Sequence, residues 1–245
     1  MRANPADQRR LLDLQQADTS LTQLAHRRAN LPEEAEIVTL RQQVNELADR
    51  AGSNEATVGD LDRDIAKVER EIDQVRRRAD TDRERQASGK LGPKELEGIA
   101  HELETLARRQ SELEDQELDL MEQREQKQAA AEADARDLAD KRTALAEIEK
   151  RRDEALAAID AELAAERSTR EGISVDIPED LRKLYEKIRR TKPIAAALLR
   201  QRRCESCRLE QSGAELADLR AADESDVVRC DNCGAILVRT EESGL

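Results

Sequence analysis

Apolar residues recur along the first two thirds of the chain in steps that alternate three and four. One seam runs Ile37, Leu40, Val44, Leu47, Ala51, Asn54, Val58, Leu61, Ile65, Val68, Ile72, Val75 and Ala79 without a slip, the spacing of a coiled-coil helix. Upstream, Leu11, Leu14, Leu21, Leu24 and Leu31 form a weaker helical stripe. Pro32 then marks a new helix start or a kink. The run Gln86-Ala87-Ser88-Gly89-Lys90-Leu91-Gly92-Pro93 reads as a turn. Beyond it a second seam uses Leu96, Ile99, Leu103, Leu106, Gln110 and Leu113, continuing in phase through Leu120, Leu138, Leu145, Ile148 and Ile159. Two heptad helices joined by a short loop predict an antiparallel coiled-coil hairpin over residues 1–171, with its turn near 86–93 and a first arm roughly 80 Å long.

If residues near 79 face residues near 99, the weak stretch Ala51-Gly52-Ser53-Asn54-Glu55 faces residues 123–127. There the second seam is also polar, at Glu117, Arg124, Lys127 and Asp134. Defects at one height on both arms predict a bend. After Glu171 the pattern stops, so residues 172–193 read as a linker and a short basic helix with Leu181, Leu184, Tyr185 and Ile188 on its apolar side. Propensity favours helix for Ala195-Ala196-Ala197-Leu198-Leu199, but a strand is the element that leads into a zinc ribbon, so a small C-terminal β domain is expected over 194–245. The fold class is thus mainly α, a long hairpin followed by a β zinc ribbon.

The reason for expecting a ribbon lies in the cysteines. The chain has four, as Cys204-x2-Cys207 and Cys230-x2-Cys233, the paired spacing of a tetrahedral zinc site. Four thiolates leave zinc no open position, so one structural Zn2+ is expected. Gly234 after the second pair suits a tight turn, whereas Arg208 takes the equivalent place after the first. Iron could use the same four ligands. A thioredoxin-like redox pair lacks its βαβ context, and a RING domain needs eight ligands. His26 and His101 fall on the helices as surface residues.

Composition sharpens this picture. Tyr185 is the single aromatic, and 40% of residues are charged, which suits long helices better than a deep globular core. The net charge of −13 is uneven. A basic collar, Arg182, Lys183, Lys187, Arg189, Arg190, Lys192, Arg200, Arg202, Arg203 and Arg208, is opposed only by Glu186 and Glu205. Such a collar could meet RNA or DNA phosphates, or dock on the acidic remainder of its own chain. The hairpin tip is also basic, with Arg76, Arg77, Arg78, Arg83, Arg85, Lys90 and Lys94 against Asp80, Asp82 and Glu84. This argues against factors that insert an acidic hairpin tip into RNA polymerase. There is no Walker loop, GxSxG or HExxH, so neither catalysis nor a small-molecule substrate is expected. No apolar run or signal-peptide core predicts a membrane partner or export, and cysteines in metal spacing fit a reducing cytoplasm.

The hairpin, followed by Ile177-Pro178-Glu179-Asp180-Leu181, Tyr185-Glu186-Lys187-Ile188-Arg189, Cys204-Glu205-Ser206-Cys207-Arg208-Leu209 and Cys230-Asp231-Asn232-Cys233-Gly234-Ala235-Ile236-Leu237, resembles the bacterial C4-type zinc-ribbon proteins. The Arg- and Ala-rich composition is similar to that of actinobacterial members. The resemblance implies a non-enzymatic protein with Cys204, Cys207, Cys230 and Cys233 as zinc ligands. Some relatives are linked to an alternative sigma factor, to flagellar or secretion machinery, and to RNA binding. The expected function is an adaptor that offers its coiled coil to protein partners; the alternative is a nucleic-acid-binding regulator.

Overall fold

The computed structural model describes residues 1–245 throughout. Its elements run α1 (Pro5–Ala29), α2 (Pro32–Ala87), α3 (Pro93–Val175), α4 (Glu179–Arg189), β1 (Ala196–Arg200), β2 (Arg203–Cys204), α5 (Gly213–Ala221), β3 (Val228–Arg229) and β4 (Ile236–Val238), with a closing 3-10 turn at Glu241–Ser243. They form two compact units, residues 35–149 and residues 1–34 with 150–245. The units cut across the segmental division at 171 and 193, because α1 packs with the C-terminal sheet.

In the unit 35–149, α2 and α3 run antiparallel around the predicted seam. Val68, Ile72 and Leu113 are buried together with Val75 and Leu120 against them. The turn falls at Ser88–Gly92, where Gly89 takes a positive φ of 66° that a residue with a Cβ rarely adopts. The register differs from expectation. Arg50 and Asn54 both reach Asp134, and Arg124 pairs with Asp62. The stretch 51–55 therefore faces the polar seam position Asp134 instead of 123–127, so polar positions still meet at one height but in another register. Helix α2 is unbroken through 51–55. The arms are offset by roughly one heptad, a slip that leaves every a and d position on the seam and so is invisible to periodicity. Cross-arm pairs such as Arg76–Glu114 and Arg41–Glu149, each at 2.6 Å, distinguish the registers.

In the other unit, Leu31 packs on Ile159 and Leu163, with Leu21 and Leu24 beside them. Leu11 and Leu14 instead enter a second core with Ile177, Leu181, Tyr185, Ile188, Ala196 and Ile236. Helix α3 continues to Val175, past Gly172, and Pro178 stands at the N-cap of α4. The sheet order is β2-β1-β4-β3, with β1 and β4 parallel and both edge pairs antiparallel. Alternation sends Ala196 and Ile236 toward α1 and α4, while Ala197, Leu199 and Leu237 face α5 and the cysteines. Burial on both faces makes Ala195–Leu199 a continuous apolar run. The strand expected there is present, and propensity for helix yields to tertiary packing.

Two parts of this unit have no counterpart in the sequence reading. Helix α5 lies between the cysteine pairs and opens on a capping box, Ser212 and Glu215. The first residues bind the loop before β3: the Ala3 N–H donates to the Ser225 carbonyl at 2.8 Å and the Val227 N–H to the Met1 carbonyl at 3.0 Å. Arg239 fastens the end of α5 by donating to the carbonyls of Leu219, Ala222, Asp223 and Asp226.

Candidate metal centre

Two turns of one design carry the cysteines. In the first, the Arg208 N–H donates to the Cys204 carbonyl at 2.7 Å and the Cys204 N–H to the Leu209 carbonyl at 3.1 Å. In the second, the Gly234 N–H donates to the Cys230 carbonyl at 2.7 Å and the Cys230 N–H to the Ala235 carbonyl at 2.9 Å. The residue after each pair is left-handed, Arg208 at φ 61° and Gly234 at 77°. Arginine thus accepts at the first turn the conformation that glycine takes without strain at the second.

The β1–β2 hairpin and the β3–β4 pair bring the turns together. Their four sulfurs lie within 4.8 Å of one another. Across the turns, Cys204 Sγ is 3.8 Å from Cys233 Sγ and Cys207 Sγ is 3.9 Å from Cys230 Sγ. Zinc–sulfur bonds of about 2.3 Å in a tetrahedron place sulfurs about 3.8 Å apart, so the donor set fits one zinc ion. None of the four forms a disulfide. Cys204 and Cys230 are buried, and Cys207 and Cys233 half-buried.

Burial pushes the Cys204 thiol up to about 12, against the pull of the Cys207 and Ser206 N–H groups. Burial also raises Cys207. Burial pushes Cys233 up, but hydrogen bonds from the Ala235 N–H, the Ser206 hydroxyl and the neighbouring Cys230 and Cys204 thiols together draw it down to about 7. Gln211, itself buried, approaches Cys230 Sγ through Nε2 at 3.8 Å. A dication supplies what these thiols lack: it favours all four thiolates, with the turn N–H groups sharing their charge.

A polar hub joins α1 to this domain. The Tyr185 hydroxyl donates to Asp18 at 2.7 Å, and Asp18 also accepts from Arg170 at 2.6 Å and pairs with Arg189 at 2.7 Å. The Asp18 hydrogen bond holds the Arg170 guanidinium above its ordinary pKa. Burial, with Asp18, lifts the Tyr185 phenol well above its usual range, so it remains a donor. Gln15 accepts from the Ala195 N–H at 2.6 Å and donates to the Pro193 carbonyl at 3.3 Å, completing the backbone at the start of β1. The signal for this hub was two polar residues, Gln15 and Asp18, on the helix face of Leu11 and Leu14.

The collar is not one surface. Arg189 is committed to Asp18 and Glu186, Lys183 to Glu179 at 2.6 Å, Arg200 to Glu242 at 3.0 Å and Arg203 to Glu210 at 3.8 Å. Arg182 and Arg202 donate to the carbonyls of Ser174 and Gly244. Lys187, Arg190, Lys192 and Arg208 are exposed and have no carboxylate partner. His26 and His101 are exposed, as expected. No helix is long and apolar enough to cross a membrane.

Fold and site together define a coiled-coil protein with a closed four-cysteine zinc ribbon. Residues 14–193 match the CT398-like coiled coil hairpin domain and residues 203–237 the C4-type zinc ribbon domain, so the chain belongs to the CT398-like coiled-coil hairpin family. An uncharacterized protein of Mycobacterium tuberculosis is 40% identical over 241 residues, 98% of each chain. A solved Mycobacterium smegmatis structure superposes with a TM-score of 0.84 at 40% identity, covering 98% of this chain and 100% of the other. CT398 of Chlamydia trachomatis shares the fold, with a TM-score of 0.68 at 18% identity over 96% of this chain and 98% of its own.

Proposed function

We propose that this protein is a non-enzymatic cytoplasmic adaptor whose helical hairpin (residues 1–171) presents surfaces to protein partners. The ribbon (194–245), joined through 172–193, is its second contact module. One zinc ion on Cys204, Cys207, Cys230 and Cys233 holds that module together. The observation that carries this reading is the closed sulfur tetrahedron: all four donors come from the chain, leaving a bound zinc no position for substrate or water.

A nucleic-acid-binding regulator is the second reading, favoured by the exposed, unpaired Lys187, Arg190, Lys192 and Arg208. It is the weaker one, since much of the collar is neutralised by its own chain. The single aromatic, Tyr185, is also fully buried and offers no base a stacking surface. Affinity capture from lysate with the full-length, zinc-loaded chain separates the two. Specific proteins retained after nuclease treatment support the adaptor. Recovery of RNA or DNA alone, lost at high salt, overturns it.

A further inference from the structure

Between α4 and the second cysteine turn lies a cleft of about 260 Å³. Leu184 and Ile188 form its apolar floor, and Lys187, Lys192 and Arg229 surround it. None of the three cations has a carboxylate partner, in a chain whose acids outnumber its bases, 55 to 42. Arg229 is also held in place. Its Nε donates to the Gly234 carbonyl at 2.9 Å, and its Nη2 lies 3.0 Å from where a Cβ on residue 234 would sit. Gly234 thus serves the turn and the seat of this guanidinium at once.

We infer that this cleft is a docking site for an acidic protein segment that inserts one apolar side chain between its carboxylates. This rests on the adaptor reading and names the chemistry of one partner. The cations select carboxylates by charge complementarity. The apolar floor rewards a leucine- or methionine-sized anchor, which a phosphate backbone lacks. No exposed aromatic is available to hold a base in the cleft.

The test uses full-length zinc-loaded protein and a labelled glutamate-rich peptide with one central leucine, read by fluorescence anisotropy. Lys187→Glu with Lys192→Glu should weaken binding by roughly tenfold or more. Replacing the peptide's leucine by serine should cost a similar factor, and Arg200→Glu with Arg203→Glu should change little. Lys187→Gln with Lys192→Gln, which removes charge without reversing it, should give a smaller loss at unchanged zinc content. The inference is overturned if the peptide does not bind, if the leucine is irrelevant, or if both charge-reversal pairs act alike. It is also overturned if an oligouridine binds the cleft more tightly than the peptide. Self-association that Lys187→Glu with Lys192→Glu abolishes would assign the cleft to a second copy instead. Failure of the peptide while nuclease-resistant protein partners are still captured would discard the cleft and leave the adaptor reading intact.

Discussion

Between Ala35 and Glu149 the interior is a seam one side chain deep on each helix, exemplified by Val68, Ile72 and Leu113, and flanked by exposed ion pairs. The unit formed by residues 1–34 and 150–245 instead buries Leu11, Leu14, Tyr185, Leu199 and Ile236 on two faces of a small sheet. It adds a buried Asp18 hub and a four-cysteine metal centre. In the first region stability is spread along the sequence in small repeated portions, so a single change has a small effect. In the second it is concentrated in a few groups, and a single change should have a large one.

The largest effect is expected at the metal. Structural zinc contributes about 10–16 kcal/mol to the folding of small zinc domains, more than the ribbon's short strands can replace. Cys230→Ser should abolish stoichiometric zinc binding and make residues 196–238 protease-sensitive, while the ellipticity of the long helices largely persists. A ribbon still protease-resistant without zinc would erase the contrast between the two regions.

Next in size is the hub. Asp18→Ala strands the Tyr185 hydroxyl and removes the shared partner of Arg170 and Arg189. Breaking such a buried pair costs about 3 kcal/mol, at the lower end of its usual range because both arginines reach solvent. Tyr185→Phe removes one hydrogen bond and keeps the ring, for about 1–2 kcal/mol. Thermal unfolding followed by circular dichroism should rank Asp18→Ala well below Tyr185→Phe. Equal effects would mean that the arginines do not depend on Asp18.

A smaller change of opposite sign is expected in the seam. Asn54 and Asp134 meet across the arms where apolar residues would pack, and Asp134 is nearly buried. Asn54→Leu with Asp134→Leu should raise the melting midpoint, since well-packed apolar residues often outperform a buried polar pair. The same change should loosen the register, because it removes one of the contacts that distinguish one heptad alignment from the next. Cross-linking between arms would reveal the loss of a single alignment.

These cases show which parts of the molecule were legible in the sequence. The hairpin, its turn and the metal site were, because heptads and paired cysteines are local repeats with few physical solutions. The arm register was not, since a slip of one heptad leaves the seam intact and only pairs such as Arg50–Asp134 decide it. The hub was missed because Gln15 and Asp18 gain meaning only from residues far along the chain. Helix α5 was recoverable from Ser212 and Glu215, whose spacing is the local signature of a capped helix start.

The smallest effect concerns pH and the exposed pairs. Hydrogen bonds from Gln110 and Arg76 hold the Glu114 carboxyl below its ordinary pKa in the seam-only region. In the other unit, Arg28 does the same for Asp160. A carboxylate whose folded pKa is depressed stabilises the protein fully above its unfolded pKa and loses that contribution as pH falls through the folded one. Glu114→Gln should therefore lower stability slightly at neutral pH and flatten its decline below about pH 4.5. High salt should erase most of the difference, because both partners are exposed. Acidification should act on the metal centre by another route, through protons competing with zinc for the thiolates. Zinc release and helix loss should then follow separate pH profiles, with only the helix profile altered by Glu114→Gln. A parallel shift of zinc release in that variant would mean that the two regions do not respond to pH independently.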